Sequence, residues 1–139
     1  MDPPPQLPKR QRLYHSTPPW VRPAEIFFIT VCCAQRGTNQ LAKSEVFAVM
    51  INALNQYIQN SKLWTELFLT MPDHLHALIS FPADEQMEKV LRDWKRFVAK
   101  QAGVIWQPGF FDHRLRSNES YEEKAHYIRM NPVRDGLGD

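Results

Sequence analysis

Leu63-Trp64-Thr65-Glu66-Leu67-Phe68-Leu69-Thr70-Met71-Pro72-Asp73-His74-Leu75-His76-Ala77-Leu78-Ile79-Ser80-Phe81 is the stretch on which the fold turns. Leu63 to Thr70 is rich in residues that suit a pleated, half-buried surface. Met71-Pro72-Asp73 interrupts it as a tight turn does, and His74 to Phe81 resumes the pattern, so a β-hairpin is predicted here. Upstream, Glu25 to Cys33 (Glu-Ile-Phe-Phe-Ile-Thr-Val-Cys-Cys), bounded by Pro23 and Gly37, reads as a buried strand. Between them Val46, Phe47, Met50, Ile51, Leu54 and Ile58 recur at helical spacing from Ser44 to Asn60, with Ser44 as the expected N-cap. Downstream, Met87, Leu91, Trp94, Val98 and Ala102 form one stripe of a helix expected over Asp84 to Ala102, stopped by Gly103. Strand, helix, strand, strand, helix is the split βαβ order, and a short fourth strand near Val104 to Trp106 would complete it. The expected fold is therefore α+β, ferredoxin-like. Pro108-Gly109 opens an irregular stretch through Arg116, and Asn118 caps a last helix expected to reach Met130 or Asn131, before Pro132.

At 139 residues the chain has room for one domain with a core and not for two. Its 43% hydrophobic and 23% charged residues exclude a chain disordered through most of its length. Residues 1–23 differ: Pro3, Pro4, Pro5, Pro8, Pro18, Pro19 and Pro23 stand among Lys9, Arg10 and Arg12. That composition predicts an extended basic arm, followed by the folded domain at 24–139. The apolar run Ile26 to Cys33 is too short to span a bilayer and lacks the flanks of a signal peptide, so a cytoplasmic protein is expected. The only cysteines, Cys32 and Cys33, are adjacent and supply neither spaced zinc ligands nor a disulfide framework. A net charge of +2 is only a weak pointer to a polyanionic partner.

Residues two apart in a strand project from one face, so His74 and His76 present two imidazoles on one side while Leu75, Ala77 and Ile79 face the other. By spacing alone the pair reads equally well as one end of a metal site or as polar groups satisfied within the hairpin. On the last helix Tyr127 and Asn131 are one turn apart, a phenol beside an amide oxygen. Taken alone, they suit a core tyrosine and a helix-capping asparagine. Combined, two imidazoles and an amide oxygen would hold a divalent ion, magnesium or manganese, with positions open to phosphate oxygens.

Basic residues stand where a nucleic acid needs them. Lys89, Arg92, Arg96 and Lys100 project within about 80° of one another on the second helix, away from its apolar stripe. Such a ridge is commonly just a solvated face, and Glu88 and Asp93 partly neutralise it. With Lys95, and with Arg114, Arg116, Arg129 and Arg134 around the tyrosine helix, they make up the expected DNA-contacting set. Trp106, Phe110 and Phe111 are candidates for base stacking or, equally, for the core.

Met71-Pro-Asp-His-Leu-His76 and the late Tyr127-Ile-Arg-Met-Asn-Pro-Val-Arg-Asp-Gly-Leu137 resemble the single-tyrosine HUH transposases, particularly the REP-associated tyrosine transposases. The similarity takes in Trp106 to Arg116 and the Phe27-Phe-Ile-Thr strand, hence nearly everything from Trp20 to Leu137. The resemblance implies a palm-like domain that binds single-stranded DNA hairpins of palindromic repeats and cleaves beside them. Tyr127 would be the nucleophile, forming a 5′-phosphotyrosine link, with His74, His76 and Asn131 holding the metal. Bottom-up chemistry agrees, since a phenol with a pKa near ~10 needs nearby cationic charge to ionise. Tyr121, six residues earlier, points about 120° away and lacks an Asn partner four residues on. Asp112 and His113 match a family segment without an assignable role. Relatives commonly continue past the Asn-Pro motif, whereas this sequence closes at Gly138-Asp139, so no recognition by a further tail carries over.

Three rival readings remain at this point. A single-stranded RNA-binding module shares the fold class, but His74 to Phe81 lacks the basic-Gly-aromatic run that such modules use. A metal-dependent phosphohydrolase would use the same ligands on water, without a covalent intermediate. A domesticated or inactive hairpin-binding protein would keep only the DNA contacts. The sequence leaves open a monomer or a homodimer, and so whether Tyr127 serves the histidines of its own subunit.

Overall fold

The computed structural model describes residues 17–115. The arm before residue 17 lies outside the described residues, as do the expected last helix and Arg116, Tyr127, Arg129, Asn131 and Arg134. The described elements are a 3-10 turn Pro19–Val21, β1 (Phe27–Cys32), α1 (Ser44–Gln59), β2 (Trp64–Thr70), β3 (His74–Ser80), α2 (Met87–Ala102) and β4 (Phe111–Arg114). The strands form one antiparallel sheet in the order β2-β3-β1-β4. In this order β3 lies between β1 and β2, the arrangement of a ferredoxin-like split βαβ fold.

Strand alternation divides the sheet into two unlike faces. Ile29, Val31, Leu75, Ala77, Ile79 and Phe68 point to one side, where they join Met50, Leu54, Leu91, Trp94 and Val98 of the two helices in the main core. Trp94 is 2% exposed and sits between Phe68 and Trp106, with ring centroids 6.1 and 5.9 Å away. Burying each such large apolar side chain stabilises the fold by about 1.5–3 kcal/mol. On the opposite face Leu67, Leu69 and Leu78 form a smaller cluster with Ile26, Phe28 and Leu115. His76 belongs to that second face, because it is paired in register with Thr30 and Leu69.

Helix boundaries follow local chemistry. At α1 the N-cap is Lys43, in extended conformation, and Ser44 is the first helical residue, so the expected serine cap is not made. α2 starts at Met87, later than the expected Asp84, because Pro82 to Glu85 closes a turn in which the Glu85 amide donates to the Pro82 carbonyl. Gly103 ends α2 as expected, in the left-handed region at φ 74°.

The fourth strand lies later than expected. Instead of Val104 to Trp106, the ladder forms at Phe111–Arg114, where Thr30 faces Phe111 and Phe27 faces Arg114. Trp106 does bridge to Cys33, and the Gln107 amide donates to the Cys32 carbonyl, so the chain meets the end of β1 where anticipated. Pro108 has no amide proton to continue the ladder, and Gly109 turns at φ 74°, so pairing resumes only after a bulge. At the other end, Val21 is buried and Trp20 packs on the main core, which lays the close of the Pro-rich segment on the domain. Among the described residues no helix is long and apolar enough to cross a membrane.

Candidate metal centre and nucleic-acid interface

His74 and His76 open β3, the strand that follows the Pro72-Asp73 turn, and project from the face opposite the helices. Their ring centroids are 5.0 Å apart. Each ring is held at Nδ1. Asp73 Oδ1 lies 2.8 Å from His74 Nδ1, and Thr30 Oγ1 lies 3.0 Å from His76 Nδ1. A metal would then be taken by the Nε2 atoms, the arrangement in which a hydrogen bond behind the ring fixes its tautomer and direction. Phe28 packs on the His76 ring at 5.4 Å.

The electrostatics suit a ligand pair. His76 is 7% exposed, and burial, aided by the neighbouring His74, lowers its pKa from 6.5 to about 4. Its imidazole is therefore neutral at physiological pH, as a metal ligand must be. Burial would raise the Asp73 pKa, but hydrogen bonds from Arg36, His74 and the Gly37 amide outweigh it and hold the carboxyl well below the usual carboxylate range. Cys33 is no rival ligand, since burial first and the Asp73 and Cys32 charges second push its thiol up to about 12. Among the described residues no group of three His, Cys, Asp or Glu side chains is placed to hold an ion. Two imidazoles suit magnesium or manganese only with further oxygen donors, and Asn131, the expected third ligand, lies outside the described residues.

The row across the sheet is informative. Thr30 is the register partner of His76 on one side and of Phe111 on the other, so Phe111, at 68% exposure, lies on the histidine face two strands from His76. His113 shares that face through its pairing with Phe28, whereas Asp112 pairs with Ile29 and points to the helical side. Trp106 and Phe110 instead pack against the main core. Of the three stacking candidates, only Phe111 presents its ring to solvent.

The expected cationic residues do not converge on the histidines. Lys89, Arg92, Arg96 and Lys100 are exposed on α2 as projected, with Lys89 paired to Asp93 at 2.9 Å. α2, however, packs on the other face of the sheet, so the sheet stands between this ridge and the histidine pair. A cavity of about 260 Å³ lined by Glu88, Arg92, Lys95, Gly109 and Phe110 also lies on the helical side. Arg114 pairs with Glu25 at 2.7 Å.

Lys95 must leave the DNA-contacting set. It is 8% exposed, and its ammonium donates to the carbonyls of Gln107 at 2.9 Å and Gly109 at 2.6 Å. The same residue's carbonyl accepts from the Trp106 indole at 2.9 Å. Lys95 therefore ties α2 to the bulge before β4, and burial lowers its pKa. Sequence reasoning missed Thr30, Asp73 and Arg36. Asp73 was legible as the carboxylate beside His74 but served there only as a turn residue, while Thr30 and Arg36 carry no local signal.

No family model matches the sequence. Curated relatives do: the REP-associated tyrosine transposase of Escherichia coli (strain K12) is 25% identical over 113 residues, covering 79% of this chain and 67% of that protein. A putative REP-associated tyrosine transposase of Haemophilus influenzae is 23% identical over 128 residues, covering 80% of this chain and 72% of its own length. Among solved structures, a REP-associated tyrosine transposase bound to a REP hairpin superimposes with a TM-score of 0.72 at 24% identity, covering 91% of this chain and 74% of that one. A putative transposase from Deinococcus radiodurans gives a TM-score of 0.55 at 16% identity, over 75% of this chain and 88% of that one. In sequence this chain is similar to REP-associated tyrosine transposases, and it shares the fold of one solved in complex with a REP hairpin.

Proposed function

We propose that the protein is a transposase that nicks and rejoins single-stranded DNA beside hairpins of palindromic repeats. The observation that carries this reading is the pair His74 and His76 on one sheet face, each ring held at Nδ1 by a different neighbour. Two imidazoles fixed in this way suit a site made in advance for an ion rather than histidines satisfied at random. The solved relative bound to a REP hairpin supports hairpin DNA as the partner.

In this reading Tyr127 is the nucleophile. Its phenolate oxygen attacks a phosphodiester in line, a tyrosine O–P bond forms, the P–O3′ bond breaks, and the departing 3′-oxygen takes a proton. One phosphoester replaces another, so no nucleotide is hydrolysed, and the liberated 3′-hydroxyl of another strand reverses the step. His74 and His76 would hold magnesium or manganese together with Asn131. A bound divalent ion supplies charge that polarises the phosphate and stabilises the leaving oxygen. Thr30 and Asp73 keep the two imidazoles aimed. Phe111 offers a ring on which an unpaired base can stack. The α2 ridge of Lys89, Arg92, Arg96 and Lys100, with Arg114, Arg116, Arg129 and Arg134, contributes phosphate contacts, and a strand reaching from the histidines to α2 passes around the sheet.

The test uses the protein and its Tyr127→Phe variant with single-stranded hairpin oligonucleotides from its own genomic neighbourhood, in manganese or EDTA, resolved by denaturing electrophoresis. A metal-dependent adduct that survives denaturation and is lost in Tyr127→Phe is expected. Cleavage without an adduct, equal in both proteins, would make it a phosphohydrolase. Hairpin binding without cleavage in any metal would make it a retired transposase kept for DNA binding.

A further inference from the structure

Arg36 stands in the loop between β1 and α1, and nothing in the expected DNA-contacting set includes it. The loop is clamped to the turn that precedes the histidines. The Gln40 and Leu41 amides donate to the Pro72 carbonyl at 2.8 and 3.0 Å, and the Gly37 amide donates to Asp73 Oδ2 at 2.8 Å. Gln40 adds two side-chain bonds, giving its Nε2 proton to the Ala34 carbonyl and accepting at Oε1 from the Ile105 amide. Gly37 sits at φ 93°, where a side chain is strained, so the tight approach of its amide to Asp73 suits glycine.

Within this clamped loop Arg36 donates from Nε to Asp73 Oδ2 at 2.9 Å, while the other oxygen of that carboxylate serves His74. The guanidinium Nε and the His74 ring nitrogen are thus no more than about 8 Å apart, two hydrogen bonds and the width of one carboxylate. Nη1 reaches the Cys32 sulfur at 3.7 Å, and Cys32 is the register partner of His74, which places the guanidinium along the edge of the histidine face. The side chain is nevertheless 52% exposed. An exposed ion pair of this kind contributes little to stability, on the order of 0–1 kcal/mol, so stability alone does not account for so firmly held a loop. A guanidinium has five donors, and with Nε spent on Asp73 its outer nitrogens still form a planar fork, the shape that binds two oxygens of one phosphate.

We propose that Arg36 is a phosphate-binding residue of this site, oriented by Asp73 so that its outer nitrogens hold a backbone phosphate of the DNA strand lying across His74 and His76. This inference rests on the function proposed above. Asp73 then has two tasks, aiming one imidazole and one guanidinium from a single carboxylate, and Arg36 fixes the strand next to the reacting phosphodiester without touching the metal.

The experiment compares the full chain with Arg36→Gln and Arg36→Lys in three readouts: Mn2+ affinity without DNA, affinity for a single-stranded hairpin oligonucleotide in EDTA across a salt series, and formation of the Tyr127 adduct. Arg36→Gln should lose about tenfold in DNA affinity, and its log–log salt slope should shrink by about 0.7, the share of one phosphate on a single strand. Mn2+ affinity should stay within about twofold. Arg36→Lys, whose single ammonium remains on Asp73, should show the same loss of DNA affinity, which separates the fork from mere charge. Unchanged DNA affinity and slope in both variants, with the adduct still formed, would overturn this inference and leave the transposase reading intact. Loss of Mn2+ affinity in step with DNA affinity would also overturn it, making Arg36 only a support for His74. A wild-type chain that forms no adduct and shows no salt-dependent hairpin binding would overturn both.

Discussion

Thr30 on β1 and His76 on β3 face each other across the sheet and share a hydrogen bond, Oγ1 to Nδ1 at 3.0 Å, although 46 residues separate them in the chain. The bond fixes which imidazole nitrogen turns toward the site. Thr30→Val keeps the shape and the strand preference and removes only the hydroxyl. Mn2+ affinity should fall roughly 10–100-fold, the usual cost of losing a partner behind a ligating histidine. Calorimetric titration of the two proteins checks it; equal affinities would mean that packing against Phe28 alone orients the ring.

The low pKa of His76 makes stability depend on pH in a defined direction. Its folded value is about 4 against 6.5 for the free side chain, so the unfolded chain takes up the proton first on acidification. This group's contribution is fully present above about 6.5 and is lost as pH falls toward about 4. The loss reaches about 3 kcal/mol, at about 1.4 kcal/mol for each pKa unit. Urea unfolding in EDTA should therefore show midpoints falling across that window, with a shallower fall in His76→Gln. Identical profiles for the two proteins would remove His76 as the cause.

Lys95 and Arg96 are neighbours in sequence with opposite assignments. Lys95→Met leaves the Gln107 and Gly109 carbonyls without their donor and should cost about 1–3 kcal/mol of stability. Its salt slope for hairpin DNA should match that of the unaltered protein. Arg96→Gln, on the exposed ridge, should change stability by less than about 0.5 kcal/mol and reduce the slope by about 0.7. Urea melts and anisotropy titrations on both variants give the four values. The reversed pattern would return Lys95 to the DNA-contacting set.

Much of this was legible in the residues. The hairpin at Leu63 to Phe81 and the two helices announce themselves through periods of two and 3.6, because those patterns depend only on which side of a local element meets the core. The shared face of His74 and His76 follows from the same period. The fourth strand did not, because its place depends on how Pro108 and Gly109 displace the chain along β1. Lys95 was misplaced because it was included for its charge, although helical projection sets it outside the ridge, on the flank of the apolar stripe of Leu91, Trp94 and Val98. The ridge on α2 was correctly drawn yet lies across the sheet from the histidines, since projection of one helix says nothing about which face of the sheet it covers.

The sequence by itself determined the elements, their order and the residue types able to do the chemistry, all properties carried by spacings of a few residues. The tertiary structure alone decided that Thr30 stands behind His76, that Arg36 shares Asp73 with His74, and that Lys95 is spent on backbone carbonyls. Each of these depends on strand register or loop closure between distant segments, and no local period encodes where such segments meet.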